Sequence, residues 1–242
     1  MKICLNIFPV ILICLLNISC SDDGTLVASN PIQEPFPDPI PIVSKKYLAL
    51  GDSYTIGQSV CETCRFPAQL KDSLQQRHHI NTSVEIIAAT GWTTTNLISA
   101  INSQNPTSDY DLVTLLIGVN NQYQHKPFSI YEQEFPQLVN KAIALAKNDI
   151  SRVIVVSIPD YAFTPFGNGN PIISQEIAQY NAFAQSYCAS RNIKFVNITD
   201  ITKQGLNDPE LVASDGLHPS TKAYTKFVSL LLPQVIPILQ QP

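Results

Sequence analysis

Five short apolar segments alternate with longer segments of helical periodicity along most of this 242-residue chain. The clearest of them, residues 111–117, is apolar at nearly every position, as expected for a strand that is buried on both faces. The other four are residues 47–50, 84–89, 152–158 and 193–198. The helical segments are residues 66–77, 96–102, 130–147, 173–191 and 220–232. This alternation predicts an α/β protein whose parallel sheet is covered by helices on both sides.

The predicted architecture is a three-layer α/β/α domain with a flavodoxin-like, five-stranded parallel sheet. Hydrophobic residues make up 45% of the chain and charged residues 14%, which suits an ordinary globular core. The formal net charge is −4, so the sequence offers no basic surface for a nucleic acid and predicts no such partner.

The first 19 residues differ in composition from the predicted domain. Lys2 is followed by an apolar stretch, residues 3–18, which ends at Ser19-Cys20. This pattern is typical of a secretory signal, and the small residue before the cysteine resembles a bacterial lipoprotein signal. In that reading Cys20 becomes the lipidated first residue of the mature protein. The alternative is simple secretion, with Cys20 as a spare thiol.

The segment that follows, residues 20–44, is predicted to be a tether. It contains five prolines, which favour an extended chain and remove backbone donors: Pro31, Pro35, Pro37, Pro39 and Pro41. The sequence therefore predicts a signal peptide at residues 1–19, a tether at 20–44 and a domain at 45–242. The protein would be exported and anchored through Cys20 to a bacterial membrane, on the periplasmic or cell-surface side of the outer membrane.

Two cysteines lie close together after the first predicted strand, in Cys61-Glu62-Thr63-Cys64. In an exported protein this spacing favours a local disulfide. A redox motif and half of a zinc site are the alternatives. No second cysteine pair and no nearby histidine supports zinc.

Polar or small residues follow three of the predicted strands. Ser53 follows the first strand, Gly91 the second and Asn120 the third, while Asp215 and His218 lie just before the last helix. The carboxyl ends of parallel strands meet at one edge of a sheet, so these residues are expected to lie close together.

These residue types suit nucleophilic catalysis. A serine hydroxyl needs a base to remove its proton, and His218 can act near neutral pH if Asp215 orients its ring. The negative oxygen of a tetrahedral intermediate needs fixed donors. The backbone N–H groups of Ser53 and Gly91 and the amide of Asn120 are the candidates.

The same residues resemble the SGNH, or GDSL-type, hydrolase family. Four motifs occur in the family's order: Gly51-Asp52-Ser53, Gly91, Gly118-Val119-Asn120-Asn121 and Asp215-Gly216-Leu217-His218. Two positions depart from the family pattern, since Tyr54 stands where leucine is frequent and Asn121 replaces an aspartate. The resemblance implies Ser53 as nucleophile, His218 as base, Asp215 as its partner, and an oxyanion hole formed by Ser53, Gly91 and Asn120.

The resemblance further implies a carboxylic ester hydrolase. The sequence shows no cluster of metal ligands and no phosphate-binding glycine loop, so no cofactor or metal is predicted. The substrate would be a small-molecule, lipid or glycan ester, and the sequence does not set its acyl group, its alcohol or the oligomeric state. Trp92 and Tyr123 are predicted to contact the substrate, and packing of Trp92 in the core is the equally weighted alternative. A glycan- or peptide-binding module without turnover is the alternative function, and a disulfide oxidoreductase using Cys61 and Cys64 is a third.

Overall fold

The computed structural model describes residues 44–241. Its five strands are β1 (Lys45–Gly51), β2 (Thr82–Ala88), β3 (Leu112–Leu116), β4 (Val153–Val156) and β5 (Lys194–Val196). All neighbouring strands pair in parallel, in the order β2-β1-β3-β4-β5. The predicted flavodoxin-like sheet is therefore confirmed, and the direction of strand order reverses between β1 and β3.

Within the described residues, eight α-helices connect or follow the strands. They are α1 (Ser53–Ile56), α2 (Phe66–His78), α3 (Thr94–Gln104), α4 (Val119–Tyr123), α5 (Phe128–Leu145), α6 (Pro171–Ser190), α7 (Thr199–Thr202) and α8 (Thr221–Leu239). Right-handed crossovers place the connection from β1 to β2 on one face and the later connections on the other. Accordingly α2 packs against α8, while α5 packs against both α3 and α6.

The strands form the centre of the core. Every residue of β3 is buried, which explains why its sequence is apolar at successive positions. The one polar side chain in β3, Thr114, is hydrogen bonded through Oγ1 to the Tyr47 hydroxyl on β1 at 2.9 Å. This bond satisfies two polar groups that are otherwise surrounded by apolar side chains.

The sequence prediction misses three short helices and the end of the last one. Helices α1, α4 and α7 have four or five residues each, too few to show helical periodicity. Helix α8 continues to Leu239 instead of ending near Leu232, although it contains Pro233 and Pro237. Val235, Ile238 and Leu239 extend its buried apolar face past the prolines, and this packing offsets the lost backbone hydrogen bonds.

The predicted signal peptide, the lipidation site Cys20 and nearly all of the tether lie outside the described residues. Within residues 44–241, no helix combines the length and the hydrophobicity needed to cross a bilayer.

Candidate active site

A cavity of about 180 Å³ opens above the carboxyl ends of β1 and β3, where the strand order reverses. Ligand sites of open α/β sheets occur at this position. Its lining contains Ser53, Tyr54, Thr90, Gly91, Val119, Asn120, Tyr123, Tyr161, Phe166, Leu217 and His218. Four residues predicted to act in catalysis thus share one cavity although they come from four separate parts of the sequence.

Ser53 begins helix α1 directly after the first strand. The helix is capped by Asp52, whose Oδ1 accepts a hydrogen bond from the Tyr54 N–H at 3.0 Å. The Ser53 carbonyl accepts hydrogen bonds from the N–H groups of Gly57 and Gln58, both at 3.0 Å. The side chain of Ser53 is therefore presented to the cavity from a backbone that is fixed on both sides.

His218 and Asp215 form a hydrogen-bonded pair beside Ser53. The Nδ1 atom of His218 lies 2.6 Å from Asp215 Oδ2. Because a carboxylate only accepts hydrogen bonds, Nδ1 carries the proton and Nε2 is left as the basic nitrogen. Nε2 and the Ser53 hydroxyl line the same cavity without a hydrogen bond between them in the described structure. Such bonds are frequently long in enzymes without bound substrate.

The Asp215 carboxylate is held by four donors. Its Oδ1 accepts hydrogen bonds from the N–H groups of Leu217 and His218, both at 2.9 Å. Its Oδ2 accepts from His218 Nδ1 and from the Ser59 hydroxyl, both at 2.6 Å. Burial by itself raises the pKa of Asp215, but the hydrogen bonds outweigh it and hold that pKa below its usual value. Asp215 is therefore a stable anion that can orient the imidazole.

The predicted oxyanion donors face the cavity. Gly91 has φ of +80°, a left-handed conformation that favours glycine, and a Cβ there would meet no atom within 4 Å. The backbone N–H groups of Ser53 and Gly91 donate no hydrogen bond within the described residues. Asn120 Nδ2 donates to the Trp92 carbonyl at 3.0 Å, which fixes the amide and leaves its second hydrogen for an oxyanion.

Asn121, which replaces the family's aspartate, is fully buried and paired with Thr94. Its Oδ1 accepts from the Thr94 N–H at 3.0 Å, and its Nδ2 donates to Thr94 Oγ1 at 2.7 Å. The Thr94 hydroxyl in turn donates to Glu134. An amide suits this position because it accepts and donates at once, whereas a carboxylate can only accept.

Three aromatic side chains form one wall of the cavity. The ring centroids of Tyr123, Tyr161 and Phe166 lie 6.0 to 6.2 Å apart. Tyr161 is held in place by its hydroxyl, which donates to Gln122 Oε1 at 2.7 Å. Tyr123 and Phe166 are about half exposed, so the wall offers apolar surface to a ligand.

Trp92 is not among the residues that line the cavity, and its contact with the substrate stays a prediction. Its side chain is half-buried and packs against the hydrophobic core. The backbone of Trp92, not its ring, contacts the site, through the carbonyl that binds Asn120. Tyr123, in contrast, lines the cavity.

The loop after α1 contains one predicted feature and one that no motif indicates. The predicted disulfide joins Cys61 and Cys64, and the 3-10 turn Glu62–Cys64 lies within it. The hydrogen bond from Ser59 to Asp215 joins residues far apart in sequence, and no local pattern marks a loop serine for this role. Among the described residues, no three His, Cys, Asp or Glu side chains are grouped closely enough to bind a metal ion.

Comparisons with known proteins identify the family of this chain. The sequence model of the GDSL-like Lipase/Acylhydrolase family matches residues 49–226. No curated protein matches the chain in sequence.

Solved structures show the same fold at low sequence identity. The lipase Lip_vut3 from a goat rumen metagenome superposes with a TM-score of 0.65 and 17% identity, covering 79% of this chain and 97% of that one. The acetylxylan esterase Axe2 from Geobacillus stearothermophilus gives 0.59 and 20%, covering 84% and 98%. The psychrotrophic esterase EstA from Pseudoalteromonas sp. gives 0.59 and 17%, covering 82% and 100%. At these identities the superpositions establish the fold alone.

Proposed function

Since the chain belongs to the GDSL-like lipase/acylhydrolase family, we propose that it hydrolyses carboxylic esters through an acyl-enzyme formed on Ser53. Membership of the family makes the protein a carboxylic ester hydrolase. The proposal adds the residues that act and the order in which they do so.

In the first half of the reaction, Ser53 Oγ attacks the carbonyl carbon of the ester while His218 Nε2 takes the hydroxyl proton. The carbonyl oxygen becomes an oxyanion that accepts hydrogen bonds from the N–H groups of Ser53 and Gly91 and from the Asn120 amide. Asp215 stabilises the imidazolium that forms. The C–O bond to the alcohol then breaks, His218 passes its proton to the departing alkoxide, and the acyl group stays on Ser53.

In the second half, water replaces the alcohol. His218 Nε2 removes a proton from the water molecule as its oxygen attacks the acyl carbon, and the same donors hold the second oxyanion. The bond to Ser53 Oγ breaks, His218 returns the proton to that oxygen, and the carboxylic acid leaves. Each proton and electron pair is accounted for, so no cofactor is required.

The observation that supports this mechanism most strongly is the convergence of Ser53, Gly91, Asn120 and His218 on one cavity, with Asp215 bound behind the histidine. A turn or capping role would explain each residue separately. It would not explain why residues following three different strands meet beside a histidine whose proton position is fixed by a carboxylate.

We propose that the substrate carries a short or medium acyl group. The cavity is small and its wall of Tyr123, Tyr161 and Phe166 is apolar, which favours a compact acyl chain over a long one. The alcohol component belongs to a small molecule, a lipid or a glycan.

A series of p-nitrophenyl esters from acetate to laurate tests both parts of the proposal. The wild type should hydrolyse the shorter esters faster, and Ser53→Ala should lose at least about a thousandfold in kcat. A Cys61→Ser/Cys64→Ser variant in the same assay should remain active, which separates ester hydrolysis from disulfide exchange. Wild-type activity that survives Ser53→Ala would exclude the acyl-enzyme, and a wild type without turnover would favour the binding-module alternative.

We further propose that the domain is exported and anchored to a membrane through a lipid on Cys20. The support is the sequence alone: an apolar stretch that ends at Ser19-Cys20, followed by a proline-rich segment. Growth of expressing cells with labelled palmitate should label the wild type and leave Cys20→Ala unlabelled. Labelling of both proteins, or of neither, would contradict the anchor.

A further inference from the structure

The turn formed by residues 57–60 contacts three separate parts of the active site. Gly57 and Gln58 bind the carbonyl of Ser53 through their N–H groups. Gln58 Oε1 accepts a hydrogen bond from the Thr90 hydroxyl at 2.6 Å, next to the oxyanion residue Gly91. Ser59 Oγ donates to Asp215 Oδ2 at 2.6 Å. None of these turn residues belongs to the four motifs found in the sequence.

Ser59 itself has an unusual backbone conformation. Its φ is +67°, in the left-handed region that costs a residue with a Cβ atom about 1–2 kcal/mol. The conformation is supported by the hydrogen bond from Val60 N–H to the Gly57 carbonyl at 3.2 Å and by the Cys61–Cys64 disulfide that follows immediately. A glycine would relieve this strain, so the backbone conformation does not explain a serine here. The hydrogen bond that its hydroxyl makes is the feature to explain it.

The hydroxyl binds the oxygen that orients the catalytic base. Asp215 Oδ2 accepts only two side-chain hydrogen bonds in the described structure, from His218 and from Ser59. The two backbone donors both bind Oδ1, so they leave the Oδ2 side of the carboxylate without a backbone contact. The Asp215 side chain is 30% exposed, and without Ser59 water would take the second acceptor site of Oδ2.

We propose that Ser59 is a positioning residue for ester hydrolysis: its hydroxyl fixes the Asp215 carboxylate and, through it, the ring of His218. This inference rests on the proposed function. Ser59 is not among the residues that line the cavity, so its loss should lower the rate of the chemical steps and leave substrate binding unchanged.

Three substitutions separate the hydroxyl from the backbone conformation. Ser59→Gly relieves the left-handed backbone and removes the hydroxyl, Ser59→Ala removes only the hydroxyl, and Ser59→Thr keeps the hydroxyl in a β-branched residue that disfavours positive φ. If the hydroxyl matters, Thr should have the highest kcat of the three. If only the backbone matters, Gly should have the highest and Thr the lowest.

We expect Ser59→Gly and Ser59→Ala to reduce kcat about fivefold with KM unchanged, the effect of losing one exposed hydrogen bond to a charged group. Ser59→Thr should keep a kcat within about twofold of the wild type. The matched control is Ser151→Ala, which removes a hydroxyl that donates to the Asp149 carboxylate at 2.7 Å. Ser151 lies just before β4, at the edge of the sheet opposite the cavity. This control variant should leave both kcat and KM unchanged.

The kinetics should be measured on short p-nitrophenyl esters, at a temperature well below the unfolding transition of every variant. A Ser59→Gly variant with wild-type kcat, or a Ser59→Thr variant slower than Ser59→Gly, would overturn the role of the hydroxyl while ester hydrolysis by the wild type stands. A wild type that hydrolyses no ester would overturn the proposed function and this inference together.

Discussion

Asp52, the residue before Ser53, should make the protein less stable as pH rises. Its side chain is fully buried, and its Oδ2 has no hydrogen-bond partner within the described residues. Burial raises the pKa of Asp52 from 3.8 to about 7, and the hydrogen bond from the Tyr54 N–H only partly opposes this rise. The folded protein therefore keeps Asp52 protonated under mildly acidic conditions in which the unfolded chain ionises it.

The size of the effect follows from the two pKa values. Between about pH 4 and pH 7 the folded state binds more protons at this site than the unfolded state, so the free energy of unfolding falls as pH rises. A pKa difference of about three units corresponds to about 4 kcal/mol in total, with no further loss above pH 8. Asp52→Asn cannot ionise and retains an oxygen that accepts from the Tyr54 N–H, so it should lack this loss.

The measurement is urea unfolding of the wild type and Asp52→Asn at intervals from pH 4 to pH 8 in the same salt. The variant's new amide hydrogens add a constant term, which cancels when the difference between the two proteins is compared across pH. The other carboxylates titrate in both proteins and cancel too. We expect the variant to gain about 4 kcal/mol relative to the wild type from pH 4 to pH 8. A difference that stays constant with pH would refute the raised pKa of Asp52.

Three further outcomes are expected. Asn120→Ala should lower kcat for p-nitrophenyl acetate about 10²- to 10³-fold with a small change in KM, because one oxyanion donor is lost. A rise in KM with an unchanged kcat would argue against that role. Asn121→Asp should lower the free energy of unfolding, measured in urea at pH 7, by about 1–3 kcal/mol, because a carboxylate cannot donate to Thr94 Oγ1. The Cys61→Ser/Cys64→Ser variant should lose about 2 kcal/mol in the same measurement, and an unchanged midpoint would show that the disulfide adds no stability.

Much of the fold, and the positions of the proposed nucleophile and base within it, could be predicted from the sequence. Strands buried on both faces are apolar at successive positions, and parallel strands end at one edge, so Ser53, Gly91 and Asn120 had to lie near one another. The topology of the sheet alone brings these residues together, without any knowledge of side-chain packing. His218 lies at the same edge because the chain returns there before its last helix.

The surroundings of these residues could not be predicted in the same way. The direction of a side chain next to a turn depends on one or two backbone angles, so the sequence alone did not decide whether Trp92, next to Gly91, faces the cavity or packs against the core, where the structure places it. Ser59 reaches Asp215 because its φ is positive, and a positive φ at a serine cannot be predicted from the sequence. Helix α8 passes two prolines because of packing that becomes visible only in the folded protein.

The two carboxylates nearest the nucleophile and the base show how environment assigns chemical roles. Asp52 is adjacent to Ser53 in sequence, but burial without enough donors raises its pKa to about 7, so it is only partly ionised at neutral pH. Asp215 is distant in sequence, but four hydrogen-bond donors hold its pKa low, so it remains charged beside His218. Only a charged partner stabilises the imidazolium that forms when Ser53 is deprotonated. The donors around each carboxylate, and not its distance from Ser53 along the chain, therefore suit Asp215 to the proposed role of supporting His218 as base.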